Sequence, residues 1–295
     1  MDHENKYGIK DIQEKLLGIL LYFSDFCQAH DLRFVLAGGT CLGAIRSGGI
    51  IPWDDDLDVF MLREDYEKLI PLWNKYADTD RYTILRSNDQ LNIHHAATEV
   101  RDNYTTFIND HSKDLDMNQG LMIDIIPLDD VPASRFMQLY QKIHAMLFAC
   151  YNFQRLPNHK SKLIYEMTKI ALKLVPSFQA RYAIWKYCED QMIKAGRHSN
   201  GHVASIIEGP TIMKQTFPKD WIEQPAYVTF EGEQMPVPRD YDAWLTMSYG
   251  DYMQLPPEEE RVLRHDIYFY DMHTPYPAYR GKYYAVKEGK HDQAN

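Results

Sequence analysis

The sequence has few cysteines and no long apolar run, and both absences narrow the class of protein. The four cysteines (Cys27, Cys41, Cys150 and Cys188) are far apart and form no Cys-x-x-Cys pair. We therefore expect reduced thiols in a reducing compartment, and neither a zinc site nor a disulfide framework. No stretch reaches the roughly 18 consecutive apolar residues of a membrane span, and the polar start lacks the pattern of a signal peptide. These features favour a soluble, cytoplasmic protein.

Positive charge is also scarce, except in one segment. The net charge is −10 over 295 residues, which argues against broad contact with nucleic acid. Residues 131–198 contain eleven lysines and arginines against three acids, a net charge of +8, so the rest of the chain carries −18. Three interpretations stay open: a solvated face, a surface that docks on anionic lipid at the inner face of the cell membrane, or a binding site for a polyanionic acceptor.

Hydrophobic periodicity predicts a mixed α+β (α/β) fold. Apolar residues at helical spacing predict a helix over 9–30, and short apolar runs predict strands at 33–37, 57–61 and 121–126, the last stopped by Pro127. Other predicted elements are a helix at 63–76, strands at 82–86, 94–101 and 104–108, a mostly helical 133–196, strands at 202–207, 226–230 and 234–237, and a helix at 241–249.

We divide the chain into three interdependent parts. Residues 1–130 form the predicted catalytic core, and residues 131–198 form a helical basic insert. Residues 199–295 form a small C-terminal α+β part that completes the donor and acceptor site. No linker or repeat separates these parts.

Four acids occupy five positions at the start of the strand predicted at 57–61. Asp56 and Asp58 are two residues apart, so their side chains share one face of the strand, about 7 Å apart. Asp54 lies in the preceding loop, close enough to reach the same ion, whereas Asp55 is expected to point elsewhere. Carboxylate oxygens in this arrangement suit Mg²⁺ or Mn²⁺. The alternative is a solvated acidic turn, which the flanking apolar residues make less favourable.

A fifth acid, Asp124, lies inside the apolar run Leu-Met-Ile-Asp-Ile-Ile. An unpaired carboxylate is costly to bury, so we expect a metal or an arginine beside it. If the two strands are neighbours, Asp56, Asp58 and Asp124 form a site for one or two ions. The alternative is a buried aspartate that backbone amides satisfy.

Gly38, Gly39 and Thr40 lie between a predicted strand and a short helix. This geometry presents free backbone N–H groups to an anion, and glycine lets a phosphate approach the backbone closely. Thr40, near the predicted N-cap, adds a hydroxyl. Arg46, at the end of the short helix, is a candidate to bind a diphosphate through two hydrogen bonds. Its alternative role is that of a surface arginine at a helix C-terminus.

Together these motifs resemble the LicD family, which includes fukutin-like proteins and belongs to the polymerase-β-like nucleotidyltransferase superfamily. The similarity begins with Gly-Gly-Thr-Cys-Leu-Gly-Ala-Ile-Arg and Ile-Pro-Trp-Asp-Asp-Asp-Leu-Asp-Val. It continues at 101–106, 120–129, 131–132, 230–232, 237–238, 241, 249–253, 255–257, Arg261 and His265.

The resemblance implies a mixed nucleotidyltransferase-like sheet flanked by helices, and transfer from a CDP-activated donor. Such enzymes move phosphocholine from CDP-choline to a hydroxyl of a cell-surface glycan, such as lipopolysaccharide, or of a teichoic-acid precursor, and release CMP. Asp56 and Asp58 match the metal-binding pair and Asp124 matches the third carboxylate, which we expect to take the hydroxyl proton. Arg261 and His265 match a C-terminal motif that we assign to donor phosphate or acceptor contact.

Several further points stay open at the level of sequence. A choline group requires an aromatic cage, and the rival donors are CDP-ribitol and CDP-glycerol, which need none. Another rival is a nucleotidyltransferase that moves NMP to a small molecule, and a third is a nucleotide-binding factor without catalysis. The acceptor is a glycan, a polyol or a lipid-linked molecule. The candidates for donor or acceptor contact are Trp53, Arg101, Tyr104, Thr105, Tyr252, Arg261 and His265.

Overall fold

The computed structural model describes residues 7–154, 162–207, 215–263 and 266–286. The helices are α1 (Lys10–Ala29), α2 (Gly38–Ser47), α3 (Arg63–Tyr76), α4 (Arg135–Phe153), α5 (Lys162–Leu174), α6 (Phe178–Ala195), α7 (Asp220–Glu223) and α8 (Tyr241–Tyr249). The strands are β1 (Val35–Leu36), β2 (Asp58–Leu62), β3 (Tyr82–Leu85), β4 (Thr98–Asp102), β5 (Thr106–Asn109), β6 (Leu121–Pro132), β7 (Ser199–Ala204), β8 (Phe217–Pro218), β9 (Ala226–Phe230), β10 (Glu233–Val237) and β11 (Ile267–Asp271).

A mixed sheet forms the centre of the molecule, with the strand order β1-β2-β6-β4-β3. Strands β2 and β6 run parallel, and the other neighbours in this order run antiparallel. Strands β7 and β8 extend the sheet from the far half of β6. A mixed sheet with helices confirms the predicted α/β fold class.

The first helix shows how the apolar pattern becomes a core. In α1 the side chains of Ile12, Leu16, Ile19 and Phe23 recur every three or four residues, and all four are fully buried. This face packs on β6 and β4, as expected for an amphipathic helix on a sheet. The helix predicted at 9–30 is therefore confirmed within one residue at each end.

Strand β6 is longer than the sequence predicted, because Pro127 does not stop it. The Asp124 N–H donates to Leu57 O on the β2 side. Because successive N–H groups alternate in direction, the missing N–H of Pro127 would face the opposite side. On that side β4 stops pairing at Ile125 and β7 begins pairing at Asp129. No ladder hydrogen bond is lost at Pro127, so the strand continues to Pro132.

A buried ion network joins the basic insert to the sheet. The Arg63 guanidinium, at the start of α3, donates to both carboxylate oxygens of Asp129 at 2.7 Å and to Glu189 at 3.1 Å. Glu189 belongs to α6 and also pairs with Arg86 and Lys186. The network therefore fixes α6 against β6 and α3, while α4 packs along α6.

The C-terminal part is joined to the core by sheet pairing. Strand β11 pairs with β5, and β9 and β10 form a hairpin whose turn uses left-handed backbone at Glu231 and Gly232. The division at 130 and 198 stays a prediction. All four cysteines are free thiols, as predicted. No helix in the described part of the chain is long and apolar enough to cross a membrane.

Candidate active site

Two of the predicted site aspartates lie side by side at one edge of the sheet. Asp58 begins β2, and in the parallel β2–β6 pairing its Cα partner is Asp124. Register partners on adjacent strands are about 5 Å apart and project to the same face. Asp124 retains about a fifth of its side-chain exposure. The sheet therefore brings together two carboxylates that are far apart in the sequence.

The glycine turn lies directly against this acidic edge. Gly38 has a φ of +50°, and a Cβ atom added to it would be 2.9 Å from Asp58 Oδ2. A Cβ on Gly39 would be 2.6 Å from Asp54 Oδ2. Both distances are shorter than a side chain tolerates, so only glycine lets the start of α2 approach the two carboxylates this closely.

Thr40 has a different position from the one predicted. Helix α2 begins at Gly38 with Ala37 as its N-cap, so Thr40 lies within the first turn and is buried. Its hydroxyl oxygen accepts a hydrogen bond of 2.8 Å from the Asp58 N–H. The backbone of Ala37 also donates to Asp58 O. These two bonds fix the glycine turn relative to the first residue of β2.

Two groups of side chains in the described part of the chain place three potential metal-ligand atoms within 4.8 Å of one another. One group contains Asp54, Asp55 and Asp56. Asp55 is buried and belongs to this group, which corrects the expectation that it points elsewhere. The reason is that these three residues precede β2 and do not follow its alternation.

The second group contains His95, Glu99 and Asp124. Asp124 Oδ1 is buried and has no hydrogen-bond partner, a costly state for a carboxylate oxygen. A divalent cation would satisfy it, and the oxygen-rich side chains around it are those that Mg²⁺ and Mn²⁺ prefer. The residues at this edge therefore fit a divalent cation.

Electrostatics distinguish Asp124 from ordinary surface acids. Burial, together with the negative charges of Glu99 and Asp56, raises the pKa of Asp124 to about 6, although His95 opposes the shift. His95 Nδ1 lies 3.2 Å from Glu99 Oε1 and 3.8 Å from Asp124 Oδ1. Burial would lower the pKa of His95, but Asp124 and Glu99 outweigh it and raise the value to about 9. The two acids therefore favour the protonated form of His95.

His95 and Glu99 were not among the site residues predicted from the sequence. Glu99 is the register partner of Asp124 in the antiparallel β4–β6 pairing, and it is almost fully buried. The signal in the sequence was Glu99, a charged residue that lies four positions after His95 in the same strand as Arg101. A buried charge in a strand interior requires a partner, and Arg101 and His95 provide it.

Three of the predicted contact residues lie around the β4–β5 turn. Arg101 is buried and donates to Glu99 Oε2 at 2.8 Å and to Gly120 O at 3.0 Å. Thr105 is buried, where its hydroxyl donates to Asp102 O and accepts from the Leu121 N–H. Tyr104 is about half exposed. Arg101 and Thr105 therefore support the two strands of the site, and their contact with donor or acceptor stays a prediction.

A second feature is a cavity of about 350 Å³ whose lining includes Arg46 and Trp53, and Arg261 lies against the same tryptophan ring. The guanidinium carbons of Arg46 and Arg261 lie 5.9 Å and 5.5 Å from the centre of the Trp53 ring. Arg46 donates to Tyr252 O and Arg261 to Pro256 O. The cavity is lined by Leu42, Arg46, Ile51, Trp53, Tyr249, Asp251, Tyr252, Gln254, Leu255, Pro256 and Pro257.

Arg46 makes this cavity suitable for an anion, and Arg261 adds positive charge beside it. Burial and the nearby charge of Arg261 lower the pKa of Arg46, and Asp54 only partly compensates. Arg46 Nε is buried and has no hydrogen-bond partner. A phosphate group would satisfy that N–H and offset the repulsion between the two cations. His265, the other predicted residue of this motif, lies outside the described residues.

Comparisons with known proteins agree with the motifs. Residues 31–94 match the family model described as LicD/FKTN/FKRP, nucleotidyltransferase domain. The chain is 30% identical over 273 residues to the lipopolysaccharide cholinephosphotransferase LicD of Haemophilus influenzae, an alignment that covers 88% of this chain and 97% of that protein. An uncharacterized protein of Rickettsia prowazekii is 36% identical over 56 residues, which is 18% of this chain and 21% of that protein. The protein belongs to the LicD family.

Proposed function

We propose that this protein transfers phosphocholine from CDP-choline to a hydroxyl of a cell-surface glycan, with Mg²⁺ or Mn²⁺ as cofactor. Support for the substrate class comes from the H. influenzae relative, which is named a lipopolysaccharide cholinephosphotransferase and is covered almost completely. Support for the chemistry comes from one observation above all. Asp58 and Asp124 are register partners, and the Gly38–Gly39 turn packs against the same edge.

The donor diphosphate would lie between the glycine turn and the two arginines. Gly38 and Gly39 allow close approach to the backbone N–H groups at the start of α2. Arg46 and Arg261 supply positive charge from the Trp53 side. The glycine turn faces Asp54 and Asp58, whose negative charge would repel a diphosphate. A divalent cation held by Asp54, Asp56, Asp58 and Asp124 would neutralise that repulsion and stabilise the charge that develops on the leaving group.

The proton of the acceptor hydroxyl needs a base close to the attacking oxygen, and Asp124 is our assignment. The acceptor oxygen forms a bond to the phosphorus that carries choline, the bond from that phosphorus to the CMP oxygen breaks, and the hydroxyl proton passes to Asp124. Burial and the negative charges of Glu99 and Asp56 raise the pKa of Asp124, the direction that makes a carboxylate a stronger base. His95 and Glu99 position the Asp124 carboxylate from the β4 side.

The decisive experiment identifies the released nucleotide. The purified protein is incubated with Mn²⁺ or Mg²⁺, a glycan acceptor, and either CDP-choline, CDP-ribitol, CDP-glycerol or a nucleoside triphosphate, and the products are separated by chromatography. We expect CMP only with CDP-choline. Release with CDP-ribitol or CDP-glycerol instead would replace phosphocholine by a polyol phosphate. Release of pyrophosphate from a nucleoside triphosphate would show a nucleotidyltransferase.

A pair of variants tests the role of Asp124. Asp124→Asn keeps the size of the side chain but removes its ability to accept a proton, so we expect turnover to disappear. Asp80→Asn is the matched control, because Asp80 is exposed in the loop before β3. A near-normal rate for Asp124→Asn, with the fold intact by circular dichroism, would refute the assignment.

A further inference from the structure

Helix α4 exposes a continuous apolar stripe. Its members recur every three or four residues and therefore share one face of the helix. Phe136 is 74% exposed, Leu139 57% and Met146 54%. Single exposed apolar side chains are ordinary on protein surfaces, but a contiguous row of large ones marks an interaction site. The stripe consists of Phe136, Leu139, Ile143, Met146 and Leu147.

Helix α5 repeats the pattern. Met167, Ile170 and Leu174 follow the same three- and four-residue spacing, and each is more than half exposed. On the opposite face of α5, Leu172 packs against the core. The helix is thus apolar toward the protein and also toward the solvent.

The polar residues near these stripes are predominantly basic. Segment 131–198 has a net charge of +8, whereas the rest of the chain has −18. Two of its three acids, Glu189 and Asp190, are already paired with Lys186. Lys169 and Lys173 are exposed on α5, one turn apart. Apolar residues flanked by lysines are the pattern of a helix that lies in the interface of an anionic bilayer.

We propose that α4 and α5 form a docking surface for anionic phospholipid. A partner protein with an apolar binding surface would explain the exposed stripes but not the concentration of positive charge in an otherwise acidic chain. A nucleic acid would explain the charge but not Phe136 or Leu174. A bilayer with acidic headgroups accounts for both features, because the apolar side chains insert below the headgroups while the lysines meet the phosphates.

The position of this surface separates docking from the reaction. Strand β6 runs from Asp124 at the acidic edge to Pro132, just before α4. Eight residues of extended strand span about 26 Å. The inference therefore does not rest on the proposed function. Variants in the stripe should leave turnover of soluble substrates unchanged.

Vesicle co-sedimentation of the full chain tests the proposal. The vesicles contain phosphatidylcholine with phosphatidylglycerol, or phosphatidylcholine alone. We expect binding only to the acidic vesicles. Leu139→Glu should bind them about tenfold more weakly, because an acid then replaces an exposed leucine that would insert into the bilayer. Tyr227→Glu, at an exposed residue of β9, is the matched control and should bind as the unaltered protein does.

The electrostatic part is tested with Lys169→Ala and Lys173→Ala. Each should weaken binding to acidic vesicles about fivefold at low salt, whereas Lys75→Ala, at an exposed lysine of α3, should not. Absence of binding by the unaltered protein, or unchanged binding of Leu139→Glu, would overturn the proposal. Light scattering provides a further test. If the unaltered protein forms an oligomer that Leu139→Glu dissociates, the stripe is an interface between copies of this chain and the proposal is overturned.

Discussion

Replacing Gly39 by alanine separates the stability of the fold from the geometry of the site. Gly39 lies in the first turn of α2, where alanine is intrinsically favoured over glycine by about 1 kcal/mol. The new Cβ would be 2.6 Å from Asp54 Oδ2, whereas ordinary contacts begin at 3.4 Å. The carboxylate of Asp54 must therefore move by about 0.8 Å, the difference between those two distances. The side chain can yield more easily than the backbone, so the helix should survive.

We expect Gly39→Ala to have a free energy of unfolding within about 1 kcal/mol of the unaltered protein. The catalytic efficiency, kcat/KM, should fall about a hundredfold, since a displacement of this size in a positioned group has that effect. This loss equals about 2.7 kcal/mol of transition-state stabilisation. The measurements are urea denaturation and the rate of CMP release.

Gly18→Ala is the control for this prediction. Gly18 lies in α1, and a Cβ there meets nothing within 4 Å. The change therefore supplies the same gain in helix propensity without touching the site. It should stabilise the protein slightly and leave the rate unchanged. If Gly39→Ala were as active as Gly18→Ala, Asp54 and the glycine turn would not be part of the donor site.

Three further predictions concern the ion network and the arginine pair. Arg63→Met leaves the buried Asp129 and Glu189 without their guanidinium, so urea denaturation should show a loss of about 3–5 kcal/mol. Burial opposes the charged form of Glu189, but Arg86 and Arg63 lower its pKa from 4.5 to about 2. An acid whose pKa is lowered by folding stabilises the fold at pH values above its pKa in the unfolded chain. Glu189 should therefore contribute a loss of up to about 3 kcal/mol as pH falls from about 5 to about 2, and Glu189→Gln should remove that contribution. Arg261→Ala should raise KM for the CDP-activated donor about tenfold with little change in kcat, because one charge-assisted contact to phosphate is lost; an unchanged KM would exclude Arg261 from the donor site.

The sequence by itself determined the local structure where one periodicity dominates. Helix α3 at 63–76 and helix α8 at 241–249 have the predicted bounds. Their ends carry local signals, such as Asp240, whose side chain accepts from the Ala243 N–H. The spacing of Asp56 and Asp58, the glycines at the start of α2 and the isolated Asp124 likewise indicated an acidic edge beside a glycine turn. Each of these signals comes from residues close together in the chain.

Only the tertiary structure decided which distant residues meet. The parallel register of β2 and β6 sets Asp58 opposite Asp124, and the antiparallel register of β4 sets Glu99 against the same residue. Likewise, Arg46 and Arg261 reach one ring of Trp53 from opposite ends of the chain. Strand β6 continues through Pro127 because, on the side where its N–H is missing, neither β4 nor β7 pairs with that residue. Strand register and side-chain contacts across long sequence separations depend on the packing of the whole sheet, which the periodicity of any single segment does not specify.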